Sequence, residues 1–178
     1  MMKKPYNEIE GWFDHEIAYD FIIKNTPLFG TIVELGAWLG KSSAYLCDNS
    51  TQKIFIVDTW QGSPDELTTT HKLATETDIF EIFKLNMKGR SYTPIRMESS
   101  EAAKQFEDNS IDAVFIDMTH SYDAVKQDIL TWLPKVKTNG IIAGDDYHQN
   151  WKGVIKAVDE FFPCAVILGD AWIEKVEK

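Results

Sequence analysis

No stretch of this chain is apolar for long enough to cross a membrane as a helix. Its opening residues, MMKKPYNEIE, lack the apolar centre of a secretion signal. Basic residues are scarce: 18 lysines and arginines face 28 aspartates and glutamates, for a formal net charge of -10. That balance argues against nucleic acid as the main partner, because phosphates need a basic footprint. Cysteine is nearly missing. Cys47 and Cys164 stand alone, without metal or redox spacing, so reduced thiols in a cytoplasmic setting are expected. There is no internal repeat and no low-complexity tract.

What remains is ordinary for a globular protein. Its 178 residues, 44% hydrophobic and 26% charged, suit one domain with a sizeable buried core. Apolar runs of strand length, TIVEL (31–35), KIFIVD (53–58), TPIRM (93–97), IDAVFID (111–117) and GIIAGDD (140–146), read as buried parallel strands. Amphipathic segments separate them. Tyr122, Val125, Ile129, Trp132 and Leu133 share a helical face that Pro134 ends. Val154, Val158, Phe161 and Phe162 mark a later helix with Asn150 as a candidate N-cap, and Ile17, Phe21 and Ile22 mark an early one. CAVIL and AWIEKV, separated by Gly169 and Asp170, predict a hairpin. The expected fold is a Rossmann-like, doubly wound α/β sheet of seven mostly parallel strands with an antiparallel strand near one edge. A helical head, residues 1–30, would precede an α/β core over 31–178. Residues 62–77, polar and Thr-rich, follow a strand's C-terminal end, where a loop serves either as a lid or as a plain connection.

The stretch VELGAWLGKSS (33–43) poses the functional question. A phosphate loop needs four residues between its glycines, whereas Ala37, Trp38 and Leu39 supply three. A dinucleotide fingerprint needs glycine where Trp38 stands. Glu34 would also repel a phosphate. An acid at a strand end followed by a glycine turn instead suits S-adenosylmethionine, which has no phosphate and carries a sulfonium and an ammonium. Gly36 would let backbone approach that ligand, and Gly40 would let the next helix pack close to the strand. Asp58 ends the second strand 24 residues beyond Glu34, where an acid can accept both ribose hydroxyls of a nucleoside.

Taken with IVDTWQGS, MESSEAAKQF, IDAVFIDMTHSYDAVKQDI and NGIIAGDDY, this stretch resembles the class I S-adenosylmethionine-dependent methyltransferases, in particular the macrocin-type sugar O-methyltransferase branch. The resemblance runs from about Trp12 to about Phe162. It departs from the wider family at Trp38, where a middle glycine is common, and in its shorter length. By that resemblance Glu34 and Gly36 would line the methionine end of the cofactor, Asp58 the ribose and Ser99 the adenine region, with Asp117 also on the cofactor side. Trp60 would pack either there or in the core. Ser42 and Ser43 read as first-turn helix residues rather than ligands.

Asp117, Asp145 and Asp146 end adjacent strands, and three clustered carboxylates repel one another unless a cation lies among them. A hard ion such as magnesium answers that, and the resemblance implies the same metal set. Alternatively, Asp145 or Asp146 caps the helix beginning near Trp151. His120 and His148 are candidate bases of near-neutral reference pKa, the family pattern favouring His120, with Asp117 a rival base. His15 and His71 read as solvent-facing, while Tyr122 and Tyr147 either shape the pocket or simply pack. The expected activity is magnesium-assisted O-methylation of a hydroxyl on a small, sugar-like or other natural product, with no nucleic acid or membrane partner and a homodimer left open. A nucleoside-binding regulatory domain and a metal-dependent oxygenase-like relative are the alternatives.

Overall fold

Residues 3–63 and 69–177 are described by a computed structural model. The strands are β1 (Thr31–Leu35), β2 (Lys53–Asp58), β3 (Thr93–Arg96), β4 (Ile111–Ile116), β5 (Val136–Gly144), β6 (Val166–Leu168) and β7 (Ala171–Lys175). They form one sheet in the order β3-β2-β1-β4-β5-β7-β6. The first five are parallel, and β7 runs antiparallel between β5 and β6, as the alternating pattern and the closing hairpin predict. Around it lie α1 (Glu16–Asn25), α2 (Lys41–Asn49), α3 (Leu73–Glu76), α4 (Ile79–Asn86), α5 (Ser99–Ala102), α6 (Tyr122–Trp132) and α7 (Lys152–Phe161). No helix among the described residues is long and apolar enough to cross a membrane.

The two-residue period of the strands divides the apolar side chains between two layers. Ile32, Ile56 and Phe115 pack with Tyr19, Leu46 and Phe83 on one face, and Val33, Leu35, Val57 and Val114 with Val125, Ile129 and Val158 on the other. The chain runs outward from β1 through β2 to β3, then returns to β1's other side as β4. That reversal opens a crevice beyond the C-terminal ends of β1 and β4, where ligands bind in sheets of this kind.

Several local expectations are corrected. On α1 the buried residues are Ala18, Tyr19 and Ile22, while Ile17 is 70% and Phe21 41% exposed. The face is set by Tyr19, whose hydroxyl reaches into the sheet, rather than by hydropathy alone. β5 begins at Val136 rather than Gly140 because Val136 pairs with Ile111 before a register shift. It ends at Gly144, so Asp145 and Asp146 lie in the loop beyond it. The residue preceding α7 is Trp151, which makes no side-chain cap. Asn150 falls one position too early, and its backbone N–H donates to His148 Nδ1 at 3.3 Å. Neither Asp145 nor Asp146 caps α7. Of the expected lid, residues 64–68 lie outside the described residues. In the remainder, Ser63 N–H donates to His71 Nδ1 at 3.0 Å.

Candidate functional site

A cavity of about 600 Å³ occupies the crevice, within the range of small-molecule sites. Its walls come from residues 11–15, the β1–α2 loop, the tip of β2, and the loops that follow β4 and β5. Gly36 sits at the switch point with φ +86°, and a Cβ there would lie 1.7 Å from the carbonyl oxygen of Asp117. It is therefore required by the neighbouring strand's backbone as well as by any ligand. Gly40, at φ +92°, leaves room for Phe83 and Met87 rather than for the strand, so its expected role is corrected.

The two acids of the first motif have separate fates. Glu34 belongs to the middle of a central strand, and the pleat turns its side chain onto α1 and α2. It is fully buried, accepts from Tyr19 Oη at 2.7 Å and from Ser43 Oγ, and burial raises its pKa despite those donors. Glu34 is not among the cavity-lining residues, which corrects its placement against the methionine end of a cofactor. Asp58 does line the cavity. Its Oδ2 accepts from the backbone N–H of Ala37 at 2.8 Å and Trp38 at 3.1 Å, and its Oδ1 from Trp60 N–H at 2.7 Å. Burial pushes its pKa up against the pull of these three donors. A carboxylate has about four acceptor positions, so Oδ1 retains room for a further hydroxyl.

The carboxylates beyond β4 and β5 do not form the expected trio. Asp117, His120 and Asp146 bring ligand atoms within 4.8 Å of one another, and His120 Nε2 lies 2.7 Å from Asp146 Oδ2. Asp145 turns the other way, its Oδ2 lying 2.8 Å from His15 Nδ1. A positive φ of 63° at Asp146 accompanies the divergence of these consecutive side chains. Burial first, then the charges of Asp145 and Asp146, raise the Asp117 pKa to about 8, with His15 and His120 opposing. For Asp145 burial acts upward, but the hydrogen bond and charge of His15 prevail and lower its pKa. His15 is raised in turn, since Asp145 outweighs the effect of burial. The oxygens of Asp117 and Asp146 fit a hard divalent ion such as magnesium, and the His120 imidazole would join them only for a softer ion such as iron; Asp14, His15 and Asp145, whose buried Oδ1 has no protein partner among the described residues, form a second such group nearby.

Other expected site residues lie elsewhere. Ser99 is buried away from the cavity, donating to Asp128 Oδ1 at 2.5 Å and accepting from Trp132 Nε1 at 2.8 Å, so its hydroxyl is not offered to an adenine. Its neighbour Glu98 lines the cavity instead. Trp60 is a core residue whose indole donates to the carbonyl of Trp38 at 3.0 Å. Ser42 and Ser43 do stand in the first turn of α2. Tyr122 and Tyr147 turn to Glu160 and Asp159 rather than into the cavity. The solvent-facing assignments of His15 and His71 are overturned. His15 is 4% exposed and stacks on Phe115 with ring centroids 5.0 Å apart. His71 lines the cavity 4.5 Å from the Trp38 ring. Nothing in the sequence around His15 shows that it meets a residue 130 positions away; only the fold brings them together.

Solved structures share this fold. The structure is similar to that of the O-methyltransferase NovP, with a TM-score of 0.68 at 16% identity, covering 92% of this chain and 80% of that one. It is also similar to the apo structure of CalS11, a TDP-rhamnose 3'-O-methyltransferase of calicheamicin biosynthesis (TM-score 0.60, 15% identity, 92% and 78% covered). In sequence it is 30% identical over 122 residues to the uncharacterized protein y4gI of Sinorhizobium fredii (strain NBRC 101917 / NGR234), covering 65% of this chain. The match spans only 13% of the length of that relative. A family described as "Methyltransferase domain" matches residues 33–147, from the middle of β1 through the paired aspartates. The chain belongs to that methyltransferase-domain family.

Proposed function

We propose that this protein is an S-adenosylmethionine-dependent O-methyltransferase, assisted by a magnesium ion, that acts on a hydroxyl of a small sugar-like or other natural product. The observation that carries the proposal is the meeting of two halves at one switch point. The loop held by Asp58 lies on one side of Gly36, and the group of Asp117, His120 and Asp146 lies on the other.

Asp58 fixes the β1–α2 loop through the amides of Ala37 and Trp38 and keeps an acceptor position for a ribose hydroxyl. The cofactor's sulfonium supplies an electrophilic methyl group, and a bound divalent ion lowers the pKa of a hydroxyl it coordinates. The protein's own tasks are to hold the acceptor oxygen in line and to receive its proton. Asp117, with a pKa near 8 in the metal-free protein, holds its proton at neutral pH and is a poor base in that state. His120 is better placed, with a magnesium ion held by the oxygens of Asp117 and Asp146 and the imidazole left uncoordinated. When its Nε2–H faces Asp146, Nδ1 keeps the lone pair, and the carboxylate stabilises the imidazolium that forms. CalS11, described as acting on a sugar nucleotide, supports a sugar hydroxyl as acceptor.

A second reading, metal-dependent oxidation, draws on the same group, because an imidazole in the donor set suits iron. The test is a screen of hydroxylated acceptors against isotopically labelled cofactor in iron-free buffer, with and without chelator. Label transfer that requires magnesium supports the proposal. Failure of the protein to bind either S-adenosylmethionine or its demethylated product overturns it, and turnover that appears only with iron and oxygen favours the second reading.

A further inference from the structure

Beside the group around Asp117, the cavity wall holds a second convergence of metal-binding donors that the proposed reaction does not use. Asp14, His15 and Asp145 bring one ligand atom each within 4.8 Å of one another, and all three line the cavity. His15 Nδ1 lies 2.8 Å from Asp145 Oδ2 and 3.7 Å from Asp14 Oδ1. Two donors held about 2.1 Å from one cation stand roughly 3.0–3.4 Å apart at right or tetrahedral angles. The observed separations bracket that range. A small movement of Asp14, whose side chain is 85% exposed, seats all three donors around a common centre.

A histidine–aspartate ion pair accounts for the 2.8 Å contact but not for the rest. The His15 side chain is 3% exposed, yet neither ring nitrogen makes a well-aligned hydrogen bond to protein among the described residues. Asp145 Oδ1 is buried and equally without a partner there. Buried polar atoms are nearly always satisfied, so three exceptions at one spot point to a partner that the protein does not supply. Two carboxylates beside one imidazole carry surplus negative charge even when the ring is protonated, which favours a cation over a water molecule. The donors are also held in place. The imidazole stacks on Phe115 at 5.0 Å and meets Phe13 edge-on at 4.7 Å, so its plane is fixed. Asp145 N–H donates to the carbonyl of Ile116 at 3.1 Å, tying the start of its loop to β4. Asp14 is open to solvent and leaves a route of entry.

We propose that Asp14, His15 and Asp145 form a second cation site, separate from the Asp117–Asp146 pair, for a divalent ion of borderline softness such as zinc or cobalt. One nitrogen and two oxygens suit such an ion better than magnesium, which prefers oxygen alone. The ion takes the place of the imidazole proton, which leaves to solvent. Three protein donors leave further coordination positions open to the cavity. The ion also fastens the N-terminal segment to the loop after β5. That segment carries Trp12, 60% exposed, to the cavity mouth, its ring centroid 6.2 Å from that of Trp38 and 5.9 Å from that of His71. The site rests on these residues alone and stands whether or not the chain transfers methyl groups.

The test titrates cobalt into metal-free protein by calorimetry and follows amide exchange. Wild type should take up two equivalents, one at each group. Asp146→Asn combined with His120→Ala disables the first group and should leave one equivalent. Adding Asp14→Asn to that pair should weaken the remaining equivalent about 10- to 100-fold, whereas Asp14→Glu, which keeps the carboxylate, should hold it within about 10-fold. In the same background cobalt should slow amide exchange across residues 11–15, and Asp14→Asn should remove the slowing. The proposal is overturned if the double variant binds no cobalt. It fails equally if the remaining equivalent is indifferent to Asp14→Asn, or if cobalt binds without slowing exchange in residues 11–15.

Discussion

Asp145 and Asp146 are neighbours in the chain, and each faces a histidine, yet the two pairs differ in almost every other respect. Asp145 meets His15 from the N-terminal segment in a buried setting, beneath Phe13 and against Phe115. Asp146 meets His120 in a more open one, their side chains 26% and 16% exposed. Both pairs line the cavity; the first ties the head of the chain to the loop after β5, and the second lies beside Asp117. A DD dipeptide thus serves two ends. One carboxylate is tied to the N-terminal segment through His15, and the other stands with His120 beside Asp117.

The sharpest way to break this comparison is to remove each histidine. His120→Ala should lower turnover by about 10²- to 10⁴-fold, the usual worth of a positioned base, while changing stability by only about 1 kcal/mol. His15→Ala should do the reverse in urea unfolding, costing about 3–5 kcal/mol, because it strands the buried Asp145 charge. If His15→Ala is as stable as the wild type, the buried pair is not structural and the distinction fails.

A smaller effect should appear with pH. Asp117 keeps in the folded state a proton that the unfolded chain gives up near pH 4, so between about pH 4 and 8 the native state binds more protons and stability falls as pH rises. Buried Glu34 and Asp58, both raised, act with the same sign. His15, raised as well, contributes stability that is fully present below its unfolded pKa of about 6.5 and lost as pH climbs through the folded value. The urea midpoint of metal-free protein should therefore decline from pH 5 to 9, and Asp117→Asn should be more stable than wild type at pH 9 by about 1–3 kcal/mol. A midpoint that rises over this range contradicts the sign.

Asp58→Ala should weaken S-adenosylhomocysteine binding by roughly 5- to 150-fold, or about 1–3 kcal/mol, through lost hydrogen bonds and a loosened loop. Glu34→Gln, measured in the same titration, should change that affinity far less, since its carboxylate faces Tyr19 and Ser43. The smallest expected effect concerns the metal. Magnesium at ten times its dissociation constant should stabilise chelator-treated protein by about 1.4 kcal/mol. Asp146→Asn should abolish that gain and Asp145→Asn keep at least half of it; equal losses in both would join the two aspartates again in one ligand set.

The sequence determined a large part of this protein. Strand-length apolar runs separated by amphipathic segments specify a parallel sheet because a central strand must be buried on both faces, and Gly169-Asp170 specifies the closing hairpin. Gly36 and Asp58 were legible because a turn geometry and a strand tip are local properties. The pairing of His15 with Asp145, the withdrawal of Glu34 and Ser99 from the cavity, and the gathering of Trp12, Trp38 and His71 at its mouth were decided only by the tertiary structure. Each depends on which way a side chain points once distant elements have packed. A residue's type records what chemistry it can do, but its partner is set by the sheet order and helix packing that bring remote positions within a few ångströms.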